Sequence, residues 1–400
     1  MNKMQIVRLM LLFLALAQGG VVRGQEVRII FAGDLMGHMP QHNAALQADG
    51  SYDYTPCFRY IKDYVSSADC AILNLEVPLA GKPYSGYPQF SAPDALAVAA
   101  RDAGFDIMTT ANNHCMDRGR RGLERTLDAL DSLEIPHLGT YRTRTERDTA
   151  QPLLVEVRGL TIALLTYTYG TNGIPVQEPN MVSFIDTAEM ARDLRFAHES
   201  GADYVITLIH WGIEYAVKAN REQEQMARWL LEHGCDAVIG GHPHVVQNFT
   251  LDAIPDNDRY PEVVVYSMGN LVSNQRDVNT DGGIMIEMTL KAGQPGQRAK
   301  LVSCKYLPYW VYRGTIDSLY QYYIVPSSDA VAYPDSYQIE GADLKALQLF
   351  DSNTRKRLEA CRLPDGSNIE ERVYYRNANP IHPKTGGVVP LRSNPELFGK

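Results

Sequence analysis

Six side chains in this sequence carry the donor atoms that hold a divalent transition metal: Asp34, Glu76, Asn113, His210, His242 and His244. Carboxylate, amide and imidazole together suit zinc, manganese or iron better than the all-oxygen shell of calcium. One catalytic ion with an open position needs fewer ligands, whereas a carboxylate such as Glu76 can bridge two ions about 3.5–4 Å apart. One or two divalent transition-metal ions (Zn, Mn or Fe) are therefore the expected cofactors. Any one of these residues alone reads as a cap, a turn or a satisfied polar group. Their repetition at equivalent places is the signal.

Those places are the ends of short apolar runs. Val27–Ala32 leads to Gly33-Asp34, Ala71–Leu75 to Glu76, and Phe105–Thr109 to Asn112-Asn113-His114. Tyr204–Ile209 leads to His210-Trp211-Gly212, Ala237–Ile239 to Gly240-Gly241-His242-Pro243-His244, and Val263–Tyr266 to Gly269-Asn270. With Thr161–Tyr167, these runs alternate with stretches whose apolar residues recur every three or four positions: Asp94–Ala103, Gly122–Leu133, Thr187–Glu199 and Arg221–His233. This is an α/β pattern, its strands buried on both faces. In such sheets ligands bind beyond the carboxyl ends of the strands, where loops converge. The donors are thus expected to meet in one cleft.

In order along the chain, Gly33-Asp34, Asn74-Leu75-Glu76, Ala111–Gly119 with Gly122-Leu123, His210-Trp211-Gly212, Gly240–His244 and Ser267-Met268-Gly269-Asn270 form a series of motifs. The series resembles the poly-gamma-glutamate capsule-synthesis (CapA-like) family, a branch of the calcineurin-like metallophosphoesterases, over about residues 27–275. The resemblance implies a four-layer α/β/β/α sandwich of the metallophosphoesterase type with a smaller C-terminal extension. It also implies roles. Asp34 would bind the first metal with His244, Glu76 would bridge, and Asn113, His210 and His242 would bind the second. His114 would stand beside the metals as proton donor or transition-state clamp.

Two departures bear on the first metal. The position two residues after Asp34, a metal histidine in typical phosphoesterases, is Met36, and a thioether is a poor partner for a hard ion. Glu76 stands where those enzymes have an aspartate. His38 is a substitute ligand to consider, although the segment His38–His42 otherwise reads as surface. Asp117, three residues after His114, would hold its imidazole in the donating tautomer or cap the helix starting near Gly119–Gly122. Arg118, Arg120 and Arg121 at that helix start are either a local cationic patch for an anionic substrate or a solvated charge run.

The rest of the sequence sets bounds. With 38 Lys and Arg against 47 Asp and Glu, the 400-residue chain carries a formal charge of −9, which argues against nucleic acid as a partner. Lys3 and Arg8 precede the apolar run Leu9–Ala17, too short to span a bilayer and followed by small and polar residues; residues 1–24 read as a signal peptide, implying export to the periplasm, cell envelope or exterior. The six cysteines show no CxxC pair, so neither a zinc knuckle nor a redox motif is expected. Residues 25–304 form the expected catalytic domain and 305–400 an accessory region. Its aromatic stretch Tyr306–Tyr323 either packs a small subdomain or stacks on sugars.

The expected reaction is hydrolysis by metal-activated water, with His114 and Asp117 as the catalytic pair, on a phosphoester or on an amide of poly-gamma-glutamate or a related envelope polymer. A non-catalytic accessory protein of capsule or envelope-polymer biosynthesis and export is the alternative, and a lectin-like binder built on the tyrosines a third. The expected partner is an anionic polymer or a small-molecule substrate, with membrane-associated capsule-assembly machinery as a further possibility.

Overall fold

A computed structural model describes residues 26–252, 262–294, 296–359, 361, 369–372 and 388–391. The expected signal peptide, residues 1–24, lies outside them. No helix among the described residues is long and apolar enough to cross a membrane.

The apolar runs become the strands of two facing sheets. In the first, the parallel strands Glu26–Leu35, Cys70–Leu75, Ile107–Thr109 and His137–Leu138 lie side by side. It grows on the other edge of Glu26–Leu35 through the antiparallel strands Gly282–Lys291, Lys300–Ile316 and Leu319–Pro326. The second contains Glu262–Val265, Ala237–Gly241, Tyr204–His210 and Leu160–Thr168 in parallel, flanked by antiparallel Phe249–Asp252 and Leu153–Val157.

Because side chains alternate across a strand, each strand feeds two cores. Val27, Ile29, Phe31 and Ile72 meet Ile162, Leu164, Ile206 and Ile239 between the sheets. On the outer face of the first sheet, Ile30, Ala71 and Leu73 pack on the helix Ala95–Asp102 and its neighbours. On the outer face of the second, Ala163, Leu165, Val205 and Val238 pack on the helices Thr187–Glu199 and Arg221–Glu232. The result is the four-layer α/β/β/α sandwich. Both covering helices of the second sheet begin at side-chain caps, Asp186 and Asn220, which satisfy the first free N–H groups.

Lys305 falls inside Lys300–Ile316, which pairs along Gly282–Lys291. The aromatic stretch is core: Trp310, Tyr312 and Tyr323 pack with Tyr337, Leu347 and Phe350 under the helix Gly341–Leu358. These rings offer no sugar platform; within the stretch Tyr320 is the exposed tyrosine. All six cysteines are buried, and no disulfide joins them among the described residues.

Candidate metal centre

The donors gather at the carboxyl ends of strands from both sheets. Asp34 and Asn74 are paired neighbours in the first sheet, as are His210 and Gly241 in the second. Two glycines permit the sheets to close here. A Cβ at Gly33 would sit 1.9 Å from the Gly269 carbonyl oxygen, and one at Gly241 would sit 2.8 Å from Asp34 Oδ1. His242 and His244 themselves lie in the left-handed region, at φ +97° and +57°. Such strain persists where surroundings over-determine a conformation, as at functional sites.

Within this cleft the donors form two sets. The ligand atoms of Glu76, His210 and His242 lie within 4.8 Å of one another, and so do those of Asp34, Glu76 and His244. Glu76 is common to both. Its Oε1 is 3.3 Å from His210 Nε2 and 3.8 Å from His244 Nε2. Asn113 Oδ1 is 2.8 Å from His210 Nε2, which adds the amide to the first set. All six residues are buried. A cavity of about 20 Å³ beneath Asp34, Asn74 and His210 has room for a single water.

Hydrogen bonding marks which atoms are committed. Asp34 accepts from Asn74 Nδ2 at 2.8 Å and from the His242 N–H at 3.2 Å, and Asn270 Oδ1 lies 3.0 Å from His244 Nδ1. By contrast, both oxygens of Glu76 and Nδ1 of His242 are buried without a hydrogen-bond partner. Buried polar atoms are normally satisfied. Orphaned lone pairs converging from both sheets, on borderline and hard donors, fit one or two divalent transition metals.

Electrostatics follow from that crowding. Burial, then the Asp34 charge beside it, pushes the Glu76 carboxyl up. Burial alone would also raise Asp34, but the bond to His244 and the charges of His210 and His244 outweigh it and hold that carboxyl well below its usual range. Burial opposes charge on His244 as well, yet Glu76 and Asp34 raise it to about 9. Burial and the neighbouring imidazoles push His242 down.

His114 stands beside the donors with its Nδ1 2.8 Å from Asp117 Oδ2. Its ring meets the edge of Phe90 at 4.7 Å between centroids. Burial would lower its pKa; the Asp117 bond and the Glu76 charge overcome this and raise it. Asp117 also accepts from the Phe90 N–H at 2.8 Å. It caps nothing, since the helix Gly119–Ser132 begins without a side-chain cap.

Met36, as its thioether implies, fills no ligand position. The register shifts on both sides of Asp34, so alternation is broken there and Met36 turns into the helix-side core, 1% exposed. His38 Nδ1 lies 3.1 Å from Gln41 Oε1, and the His38 N–H donates to the same oxygen at 2.8 Å. The segment His38–His42 is not simply surface, because it enters the helix Met39–Ala45, where His42 is buried against the Tyr54 hydroxyl. Arg118 is tied to Phe90 and Gln89 carbonyls and to Ser85, and Arg120 to Glu124 and the Glu178 carbonyl.

Two residues escaped the sequence reading. Asn172, at φ +51°, accepts from Asn113 Nδ2 at 3.2 Å and lies 3.5 Å from His114 Nδ1. Tyr169 lays its ring over His242 at 4.5 Å. Both follow the strand Leu160–Thr168, so the strand-end rule that found the other donors also pointed at this loop.

Residues 28–275 match the family described as "Bacterial capsule synthesis protein PGA_cap". The capsule biosynthesis protein CapA of Bacillus anthracis is 26% identical over 282 residues, covering 67% of this chain and 64% of that protein. The PGA biosynthesis protein CapA of Bacillus subtilis (strain 168) is 28% identical over 258 residues, covering 60% and 62%. The chain thus spans a little under two thirds of the length of these relatives. Among solved structures, a phosphatase from Mycoplasma pneumoniae superposes with a TM-score of 0.43 at 13% identity, over 71% of this chain and 94% of that one. A 5'-nucleotidase from Candida albicans SC5314 gives 0.41 at 12%, over 83% and 57%. The family match takes in every donor and the His114–Asp117 pair and runs through more than half of the sequence, so the chain belongs to the bacterial capsule synthesis protein PGA_cap family.

Proposed function

We propose that the protein is a metal-dependent hydrolase acting on a phosphoester, or on an amide of poly-gamma-glutamate or a related cell-envelope polymer. One observation carries this reading: two donor sets share the orphaned carboxylate of Glu76, with a carboxylate-bound imidazole next to them. Asp34, Glu76 and His244 would hold one ion, and Glu76, Asn113, His210 and His242 the other. Bound divalent ions supply Lewis acidity and lower the pKa of water toward about 7.

The protein's own groups do the rest. Asp117 accepts from His114 Nδ1, which fixes the ring and leaves Nε2 to carry the transferable proton. The Asp117 bond and the Glu76 charge raise the His114 pKa and so favour the protonated ring, the form that can protonate a leaving oxygen or nitrogen. Asn172 accepts from Asn113 Nδ2, which turns the Asn113 oxygen toward His210 and its donor set. The closely packed sheet ends limit bulk water around the donors.

Export to the cell envelope belongs to the same reading, through residues 1–24 and the capsule-related names of the relatives. Those names, which speak of biosynthesis, also favour the second reading, a non-catalytic accessory of polymer assembly. The test is turnover of phosphoesters and γ-glutamyl peptides by zinc- or manganese-loaded protein and by His114→Ala. Hydrolysis that falls about 10²–10⁴-fold in the variant, with metal content unchanged, is the expected result. Absence of hydrolysis in the loaded wild type, with polymer binding intact in both, selects the accessory reading.

A further inference from the structure

Three exposed tyrosines surround the metal centre: Tyr169 at 46%, Tyr215 at 49% and Tyr87 at 77%. Large aromatic rings open to solvent at a cleft mouth mark a ligand surface more often than an accident of the fold. Two of them are set by the loops that carry the donors. The Tyr169 N–H donates to the His210 carbonyl at 3.0 Å, and the Tyr215 N–H to the Pro243 carbonyl at 2.8 Å, between His242 and His244. Tyr169 covers His242 on one side and leaves the rest of its ring open.

Tyr215 is the more telling. Its centroid is 6.2 Å from that of His244, and its hydroxyl accepts from Gln275 Nε2 at 3.3 Å. It adopts φ +65°, a conformation that costs a bulky residue about 1–2 kcal/mol. Glycine would take that conformation without the cost, so in this chain the ring is held at the mouth against a backbone preference. Tyr87 meets Phe90 at 6.4 Å between centroids, and Phe90 in turn meets His114; Glu214 precedes Tyr215 in the chain.

Of the three arginines at the helix start near His114, Arg118 and Arg120 are bonded within the protein, and Arg121 is exposed. What the mouth offers is aromatic faces beside an exposed carboxylate, Glu214. Flat C–H faces stack on tyrosine, while carboxylates read hydroxyl groups in pairs. That combination recognises a sugar ring.

We infer that Tyr169, Tyr215 and Tyr87 form a pyranose-binding rim, and that the substrate carries a sugar ring next to the bond presented to the metal centre. This rests on the hydrolase reading for the bond but not for the ring. The test uses the metal-loaded full chain with three probes: N-acetylglucosamine 1-phosphate, glycerol 1-phosphate and a γ-glutamyl hexapeptide. Affinity is measured by calorimetry, and ring contact by saturation-transfer NMR on the pyranose C–H protons.

The sugar phosphate should bind about tenfold tighter than glycerol phosphate. Tyr169→Ala and Tyr215→Gly should each remove about three- to tenfold of that preference and the saturation transfer with it, while Tyr→Phe at either position restores both. Glycine keeps the left-handed backbone at 215, so an unchanged melting temperature shows that this variant is folded. Equal binding of the two phosphates, tighter binding of the hexapeptide, or tyrosine variants that bind as wild type would each overturn the rim. Sugar binding without turnover of any probe would instead overturn the hydrolase reading and leave the rim standing.

Discussion

Replacing Glu76 by Gln should change stability in opposite directions with and without metal. In the metal-free protein Glu76 is fully buried, accepts no hydrogen bond and lies beside the Asp34 charge, with only His210 and His244 at 3.3 and 3.8 Å to offset it. An unmet buried polar group costs about 1–3 kcal/mol, more when charged. Gln keeps the shape and removes the charge, so the metal-free variant should gain about 1–2 kcal/mol. For a chain of this length that is a rise in Tm of roughly 1–4 °C, extrapolated from the size dependence of smaller domains. In metal the order reverses. Ligand at 1,000 times Kd stabilises wild type by about 4 kcal/mol, and a hundredfold loss of affinity in the variant removes about 2.7 kcal/mol of it. Calorimetric melting in EDTA and in excess zinc or manganese, with elemental analysis of both proteins, reads the crossover. A variant less stable than wild type in EDTA, or the same ranking in both conditions, would refute the picture of Glu76 as a carboxylate kept for cations.

Asp117→Asn should lower kcat less than His114→Ala and move the alkaline limb of the pH–rate profile downward, because the bond that raises the His114 pKa is weakened and the imidazolium is lost at lower pH. In EDTA, wild-type stability should fall as pH rises from the ordinary histidine value of 6.5 through about 9, where His244 loses the proton that the two carboxylates favour in the folded state; saturating metal should flatten that slope in thermal melts. Met36→Ala should cost about 2–4 kcal/mol through a core cavity and leave metal affinity within a few-fold, measured by denaturation and metal titration. Asp193→Ala should cost about 2–4 kcal/mol in urea unfolding, since it leaves the buried guanidinium of Arg147 with Glu189 and Asp148 alone and takes an acceptor from the Tyr167 hydroxyl and Gln151.

What the sequence made legible was the part governed by local pattern. The helix Thr187–Glu199 has the bounds that periodicity predicts, and the apolar runs, all strongly patterned, became strands within a residue or two at most ends. The donors were legible because they share a strand-end position, which the parallel topology turns into shared space. That Met36 would be a poor ligand was legible from its thioether, but its place in the helix-side core was not, because the register shift beside Asp34 is not written in residue types. Asp117 was open between cap and orienting group until the Phe90 N–H, distant in sequence, was seen to share its carboxylate. Asn172 and Tyr169 passed unnoticed because the residues that directly follow this strand, Tyr169–Gly173, hold no acid or histidine. The tyrosines of Tyr306–Tyr323 were ambiguous because composition cannot tell a packed ring from a presented one; that depended on the helix Gly341–Leu358 folding over them.

The placement of Gly282–Lys291 against Glu26–Leu35 has a consequence for how the protein is made. The first strand of the sheet hydrogen-bonds on one side to a segment separated from its end by 246 residues. At roughly 5–20 residues per second, translation leaves that edge open for about 12–50 s, with Val27, Ile29 and Phe31 along it, the kind of apolar edge that pairs with other chains. A polypeptide cut at residue 275, where the family match ends, would never close it. Keeping the edge covered until the last third of the chain arrives is a demand that the topology places on the cell that synthesises it.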